Sequence, residues 1–233
     1  MKNLSFATMK LIIVFACLCF AAKGQKEFNR PDYEKIKTLT QDKSSKFEYS
    51  DLLSRLESYD TTLTAEEYSY LYYGYIFTKE YEPYGRSKQE EKLLKYYQSS
   101  DIDKNDYDKI IELCNLSIKE NPFDLRQMNF LAYIYHKKGN EEMARKVSRR
   151  FFNTTGAILT SGDGKTCSSA FHIISVTHEY AVLNMFEFRF KKQSLRDMCD
   201  YLELEENKQN VKGIYFNVEQ LMLKNMEKLK GKF

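Results

Sequence analysis

The chain has 233 residues, and its 36 Lys and Arg face 33 Asp and Glu, which gives a formal net charge of +3. A hydrophobic content of 42% with 15% aromatic residues excludes a disordered chain, and the low count of three prolines excludes a proline-rich linker protein. Lys2, Lys10 and Lys23 supply the surplus, because residues 1–24 contain no acid and the remaining chain has 33 bases and 33 acids. A neutral chain gives no electrostatic reason to expect nucleic acid or an anionic membrane as a partner.

Residues 1–24 are typical of a secretory signal peptide. Two lysines flank the apolar run 11–22 on its N-terminal side, and Ala22 and Gly24 take the −3 and −1 positions of a cleavage site. An apolar run of this length spans about 18 Å as a helix, less than the roughly 30 Å hydrocarbon core of a bilayer. The sequence therefore predicts a periplasmic or secreted protein with no stable membrane insertion after cleavage. Lipid attachment at Cys17 is the disfavoured alternative, because the residues around it are bulky and apolar.

Helical apolar spacing dominates the chain from about residue 30 to residue 153. Thr64 with Glu67 three residues later forms a capping-box motif that predicts the start of one helix. Asn121-Pro122 and Gly139-Asn140 are stop signals for two others. The predicted helices begin near Tyr33 and cover 49–59, 65–79, 88–98, 107–120, 125–138 and 141–152.

The segment 107–152 carries the spacing of a tetratricopeptide repeat. Small residues at 132 and 144 let two antiparallel helices approach, and an aromatic residue fills the angle between them. Ser148 and Phe151 depart from the pattern, which argues against regular stacking of a further repeat. The residues that carry the pattern are Leu131, Ala132, Tyr135, Gly139 and Ala144, with Pro122 closing the preceding unit.

Short β-rich runs among turn residues follow from residue 157. The predicted strands are 171–177, 198–205 and 212–219, with 206–211 as a hairpin loop between the last two. Residues 178–190 fit a helix and a strand equally, and 220–230 fits a short amphipathic helix. The predicted fold class is α+β. We expect a signal peptide at 1–24, a tetratricopeptide-like helical region at 25–155 and a β-rich region at 156–233. The β-rich region contains a small antiparallel sheet and a short C-terminal helix, and it packs as one unit with the helices.

Without the leader, three cysteines remain: Cys114, Cys167 and Cys199. An odd number allows at most one disulfide within the chain. Cys167 and Cys199 form the more plausible pair, and a free buried thiol is the open alternative. Neither a Cys-x-x-Cys motif nor a Cys/His cluster indicates zinc.

Three blocks of sequence carry a family resemblance. They are Thr61-Thr62-Leu63-Thr64 with Tyr68, Leu71-Tyr72-Tyr73-Gly74-Tyr75 and Tyr84; Gly162-Asp163-Gly164, Ala170-Phe171-His172-Ile173-Ile174-Ser175-Val176 and His178-Glu179-Tyr180; and Asp200-Tyr201-Leu202 with Lys212-Gly213-Ile214-Tyr215-Phe216-Asn217-Val218. Together these blocks resemble a family of exported Bacteroidetes proteins known as domain of unknown function 4919. The resemblance implies export and a helix-then-sheet order, and it transfers no activity, substrate or site residue.

Ten of the eighteen tyrosines fall between residues 59 and 97. Part of this cluster must face the core, and core packing alone is one interpretation of it. The other is a flat amphipathic surface for a protein, peptide or sugar partner, because tyrosine buries a large area at small entropic cost. We therefore expect a non-catalytic binding or scaffold protein, with candidate binding residues Tyr68, Tyr70, Tyr72, Tyr75 and Tyr84.

The alternative function is a hydrolase-like enzyme centred on Cys167, His172 and Glu179, the one Cys/His pairing close in sequence. No cofactor or metal is expected. Gly164-Lys165-Thr166 lacks the earlier glycine of a phosphate-binding loop, and the calcium-like run 101–112 has Asp106 where that loop needs glycine.

Overall fold

The computed structural model describes residues 28–99 and 101–230, so the predicted signal peptide, its cleavage site and Cys17 lie outside the described residues. Helices come first and a small sheet follows, which confirms the α+β class. The helices are α1 (Tyr33–Gln41), α2 (Tyr49–Glu57), α3 (Ala65–Gly74), α4 (Glu90–Tyr97), α5 (Tyr107–Glu120), α6 (Leu125–Lys137), α7 (Glu141–Thr160), α8 (Thr177–Met185) and α9 (Glu219–Lys230); the strands are β1 (Phe171–His172), β2 (Phe190–Arg196), β3 (Cys199–Leu204) and β4 (Gly213–Asn217).

Side-chain caps start most of the early helices. The capping box at α3 is confirmed: the Glu67 amide donates to Thr64 Oγ1 at 3.2 Å, and the Thr64 amide donates to Glu67 Oε2 at 2.7 Å. Asp32, Asp124 and Asn140 cap α1, α6 and α7 by accepting from the amide three residues on. Each such cap stabilises its helix by about 1 kcal/mol.

Helices α6 and α7 form a hairpin whose turn contains Gly139 at φ 80°. Glycine suits this left-handed position because it has no Cβ. Helix α7 continues to Thr160 rather than ending near Phe152, because Ala157 and Ile158 extend its buried stripe. The predicted boundary at residue 155 therefore falls inside a helix.

The sheet has the strand order β1-β4-β3-β2, and β1 pairs with β4 in parallel while the other pairs are antiparallel. The prediction of an antiparallel sheet is therefore wrong for one pair. The predicted strand 171–177 ends at His172, because Ile173 and Ile174 are both buried and Thr177 begins α8. Strand β2 was not predicted, since its run of polar residues lies at an exposed edge without alternation.

One continuous core runs from the first helices through the sheet to Leu221 of α9. A disulfide joins Cys167, in the loop before β1, to Cys199 at the start of β3, and Cys114 is buried and bonded to no other cysteine of the described residues. No helix of residues 28–99 and 101–230 combines the length and the apolar character needed to cross a bilayer.

Candidate functional site

Four of the five candidate binding tyrosines lie in the core. The exposed fractions of Tyr68, Tyr70, Tyr72 and Tyr75 are 4%, 8%, 0% and 6%, whereas Tyr84 is 51% exposed. The prediction of a tyrosine-rich binding face is therefore wrong for α3 and the turn after it. The physical reason is that α1, α2 and α7 all pack against α3, which leaves it without an open face.

The buried hydroxyl of Tyr72 is part of a hydrogen-bonded chain. It lies 2.7 Å from Nδ1 of His178 and accepts the Ile174 amide at 3.3 Å, while Nε2 of His178 lies 2.9 Å from the Phe123 carbonyl oxygen. A carbonyl can only accept, so Nε2 carries the proton and Tyr72 donates to Nδ1. Burial lowers the pKa of His178 to about 4 and keeps the ring neutral.

Two more tyrosine hydroxyls join the helices to the segment around β1. The Tyr73 hydroxyl lies 3.2 Å from the His172 carbonyl of β1 and 3.1 Å from the Ala157 carbonyl of α7, and Tyr81 donates to the Ile174 carbonyl at 2.7 Å. Tyr72, Tyr73 and Tyr81 therefore hold the helical part to the sheet part, and the hydroxyls of these three residues are satisfied inside the protein.

Cys167, the nucleophile of the hydrolase alternative, is not available for catalysis. Cys167 is bonded to Cys199 with a Cα–Cα separation of 5.7 Å, so it has no free thiol. Within the described residues, no hydrogen bond joins any two of Cys167, His172 and Glu179. Nδ1 of His172 lies 3.4 Å from the Tyr33 hydroxyl, and burial lowers the pKa of His172 to about 4. The three residues do not form a catalytic group.

Glu179 of α8 has no solvent-exposed surface, and its Oε1 finds no donor in the described part of the chain. Burial, and then the nearby Asp200 carboxylate of β3, raise its pKa to about 9. Nε2 of Gln193 on β2 donates to Asp200 Oδ2 at 2.8 Å and lies 3.5 Å from Glu179 Oε2. At neutral pH Glu179 is therefore a protonated, neutral acid close to the Asp200 carboxylate.

Two tyrosines adjoin this carboxyl pair. Tyr180 donates to Gln193 Oε1 at 3.3 Å. The exposed Tyr84, in the loop before α4, has its pKa raised by partial burial and by the charges of Asp200 and Glu179. We call Tyr84, Glu179, Tyr180, Gln193 and Asp200 the acid–tyrosine patch. It unites one residue from each predicted set, Tyr84 from the binding set and Glu179 from the hydrolase set.

The other patch residues were not predicted as a site. In the sequence, only Asp200 pointed to this region, because it is a single acid on the strand face that otherwise carries the apolar residues Met198, Leu202 and Leu204. Nothing in the sequence marks Gln193 as a site residue, because it becomes a neighbour of Asp200 only through the pairing of β2 with β3. Among the residues that the structure describes, no three His, Cys, Asp or Glu side chains converge as metal ligands.

Comparison of the sequence with known protein families gives a match. The family model described as "Domain of unknown function (DUF4919)" matches residues 34–228, which is most of the chain. The chain belongs to the DUF4919 family. The match covers α1 through most of α9 and therefore the whole patch of this DUF4919 chain. No curated protein and no solved structure matches the chain.

Proposed function

We propose that this DUF4919 chain is an exported, non-catalytic binding protein whose ligand contacts the acid–tyrosine patch. The observation that carries the proposal is the position of Tyr84. Tyr84 is 51% exposed while most tyrosines near it in sequence are buried, and the charges of Asp200 and Glu179 reach its hydroxyl and raise its pKa. An exposed aromatic ring next to fixed polar groups is the combination that binding sites use for contact area and orientation.

The chemistry of the patch defines the kind of ligand. Asp200 and the Gln193 side chain offer acceptors to hydroxyl or amide donors, and Tyr84 offers a flat apolar surface. A sugar ring, with hydroxyls at its rim and an apolar face, fits this description, and an extended peptide is the second possibility. Nucleic acid is not expected, because the patch carries acids and the chain after residue 24 is formally neutral.

Export is supported by two features that are independent of each other. The first is the sequence pattern of residues 1–24, which indicates a cleaved leader and a periplasmic or secreted product. The second is the Cys167–Cys199 disulfide, which is stable in an oxidising compartment. The resemblance to exported Bacteroidetes proteins agrees with both.

We further propose that the helices form a tetratricopeptide-like scaffold that holds the patch in place. The α5-α6-α7 succession supports this, because consecutive helices pack on one another and Ala132 and Ala144 are buried at the close contact. The scaffold is short, and Tyr72, Tyr73 and Tyr81 join it to His178, His172 and Ile174 of the sheet part.

The experiment is a binding screen of the purified mature chain against glycan and peptide arrays, followed by calorimetry of the hits. Tyr84→Ala should weaken binding at least ten-fold, and Asp200→Asn should weaken it further or alter selectivity. Tyr133→Ala is the matched control, because Tyr133 on α6 is 48% exposed and lies outside the patch. Equal loss in Tyr84→Ala and Tyr133→Ala, or no binding to either array, would contradict the proposal.

A further inference from the structure

Helix α7 carries four basic residues in two i,i+4 pairs, Arg145 with Arg149 and Lys146 with Arg150. Like charges at this spacing destabilise a helix by a few tenths of a kcal/mol per pair. The cluster lies on a different helix from the acid–tyrosine patch and plays no part in the function proposed above.

Arg150 is the unusual member, because its side chain is buried and only 5% of the residue is exposed. Nη2 donates to the Pro122 carbonyl at 2.7 Å, and Nε has no acceptor among the described residues. None of the ion pairs between residues of the described ranges includes Arg150. A buried charge without a counter-ion is costly, so such groups are normally paired.

A cavity of about 220 Å³ lies beside this guanidinium, between α2 and α7. Leu56, Tyr59 and Tyr68 form an apolar and aromatic wall, and Arg145 and Arg149 stand exposed at the rim. For comparison, an apolar cavity of about 150 Å³ holds one benzene molecule. The space therefore admits one ring with a small charged substituent.

The two acids at this cavity are already paired. Asp60 accepts from Nε of Arg55 at 2.7 Å, and this contact with the Thr62 hydrogen bonds lowers the Asp60 pKa to about 2. Glu142 accepts from Lys146 at 2.7 Å. No carboxylate of the described residues forms an ion pair with Arg145, Arg149 or Arg150, and the charge of Glu57 acts on Arg150 only from beyond ion-pair distance.

Tyr59, in the wall of the cavity, has a strained backbone conformation. It follows the end of α2 at φ 56°, where its amide donates to the Leu56 carbonyl and the Asp60 amide donates to the Arg55 carbonyl. This helix-ending pattern usually has glycine at the position of Tyr59. A bulky residue there is a strained exception, of the kind found at functional sites.

We propose that this cavity is a binding site for a small organic anion, with its carboxylate on Arg150 and Arg149 and its flat body against Tyr59 and Tyr68. A planar carboxylate matches the planar guanidinium and balances a buried positive charge that no ion pair of the described residues balances. The aromatic wall favours a ligand with a ring or planar chain over a fully hydrated inorganic anion.

Benzoate is the probe, and a titration at low ionic strength followed by amide NMR shifts is the measurement. For a ligand of this size we expect a Kd on the order of 1 mM. Benzamide has the same shape without the charge and should bind at least ten-fold more weakly. Inorganic phosphate should bind more weakly as well, because it gains nothing from the aromatic wall.

Arg150→Gln and Arg149→Gln should each weaken benzoate binding several-fold or more. Arg149 is exposed, so its replacement leaves the fold intact even if Arg150→Gln does not fold. Arg189→Gln is the matched control, because Arg189 is exposed and lies outside the cavity lining. Unchanged affinity in Arg149→Gln, equal binding of benzamide, or phosphate binding as tight as benzoate would each overturn the proposal.

Discussion

Replacing Glu179 by glutamine tests the electrostatics of the acid–tyrosine patch most directly. Burial and Asp200 raise the pKa of Glu179 from its ordinary value of 4.5 to about 9 in the folded protein. Between these two pH values the folded state keeps a proton that the unfolded state has lost. The stability that Glu179 contributes is therefore present below pH 4.5 and is lost as the pH rises towards 9, at about 1.4 kcal/mol per pH unit.

The substitution Glu179→Gln removes this ionisation and keeps the size of the side chain. Its amide is neutral at every pH, as the protonated acid is at low pH. We expect the variant to be more stable than the wild-type protein at neutral pH. The difference in free energy of unfolding should grow by about 1.4 kcal/mol per pH unit, or about 3–4 kcal/mol between pH 5.5 and 8.

Urea denaturation followed by circular dichroism at several pH values is the assay. Taking the difference between variant and wild-type removes the contributions of the other titrating groups, including the buried His172 and His178. Glu206→Gln serves as the control, because Glu206 is exposed in the β3–β4 loop. A difference that stays constant from pH 5.5 to pH 8 would refute the argument, since it would mean that Glu179 ionises in the folded protein.

Three further variants test the framework of the fold. Tyr72→Phe leaves Nδ1 of His178 without its donor, so we expect a loss of about 1–3 kcal/mol in the free energy of unfolding, and a loss under 0.5 kcal/mol would contradict the hydrogen-bonded chain. The double variant Cys167→Ser with Cys199→Ser should lose about 3–4 kcal/mol, the value for closing a loop with a separation of 32 residues, and dithiothreitol should destabilise only the wild-type protein. Gly162→Ala brings a Cβ to 2.3 Å from two backbone carbonyl oxygens, so it should cost about 2 kcal/mol or more, and a Tm equal to that of the wild-type protein would exclude the close approach.

Most of the helical part was predictable because its signals are local. Thr64 with Glu67, the Gly139 turn and the helix Tyr107–Glu120 each depend on residues within one helix or its caps. The hairpin between β3 and β4 was predictable for the same reason, since turn residues lie directly between two apolar runs.

The errors concern features set by distant parts of the chain. A run of tyrosines shows amphipathic composition, but whether Tyr70 or Tyr84 is exposed depends on how many helices surround it. The segment after His172 is apolar enough for a strand, and it turns into α8 because the core on both sides buries Ile173 and Ile174. Local propensity carries no information about either arrangement.

The candidate sites likewise have features that the local sequence predicts and features that depend on tertiary packing. The pairing of Cys167 with Cys199 was the favoured prediction because both lie in the C-terminal third of the chain, whereas the carboxyl pair depends on the register of β2 against β3. The burial of Arg150 is also set by tertiary packing. In sequence it is one of four bases on a helix, and only the fold separates it from its exposed neighbours.

The link from Tyr72 through His178 to Phe123 has a consequence for the order in which the protein folds. Its two hydrogen bonds connect residues that are 106 and 55 positions apart. Contacts of such sequence separation form late, because the chain entropy of closing long loops must be overcome first. When only the N-terminal helices have been synthesised, the hydroxyl of Tyr72 therefore lacks its partner in the core. The helical half gains its full stability only after residue 178 has left the ribosome. A fragment that ends near residue 155 is an incomplete structure and not a smaller version of the protein.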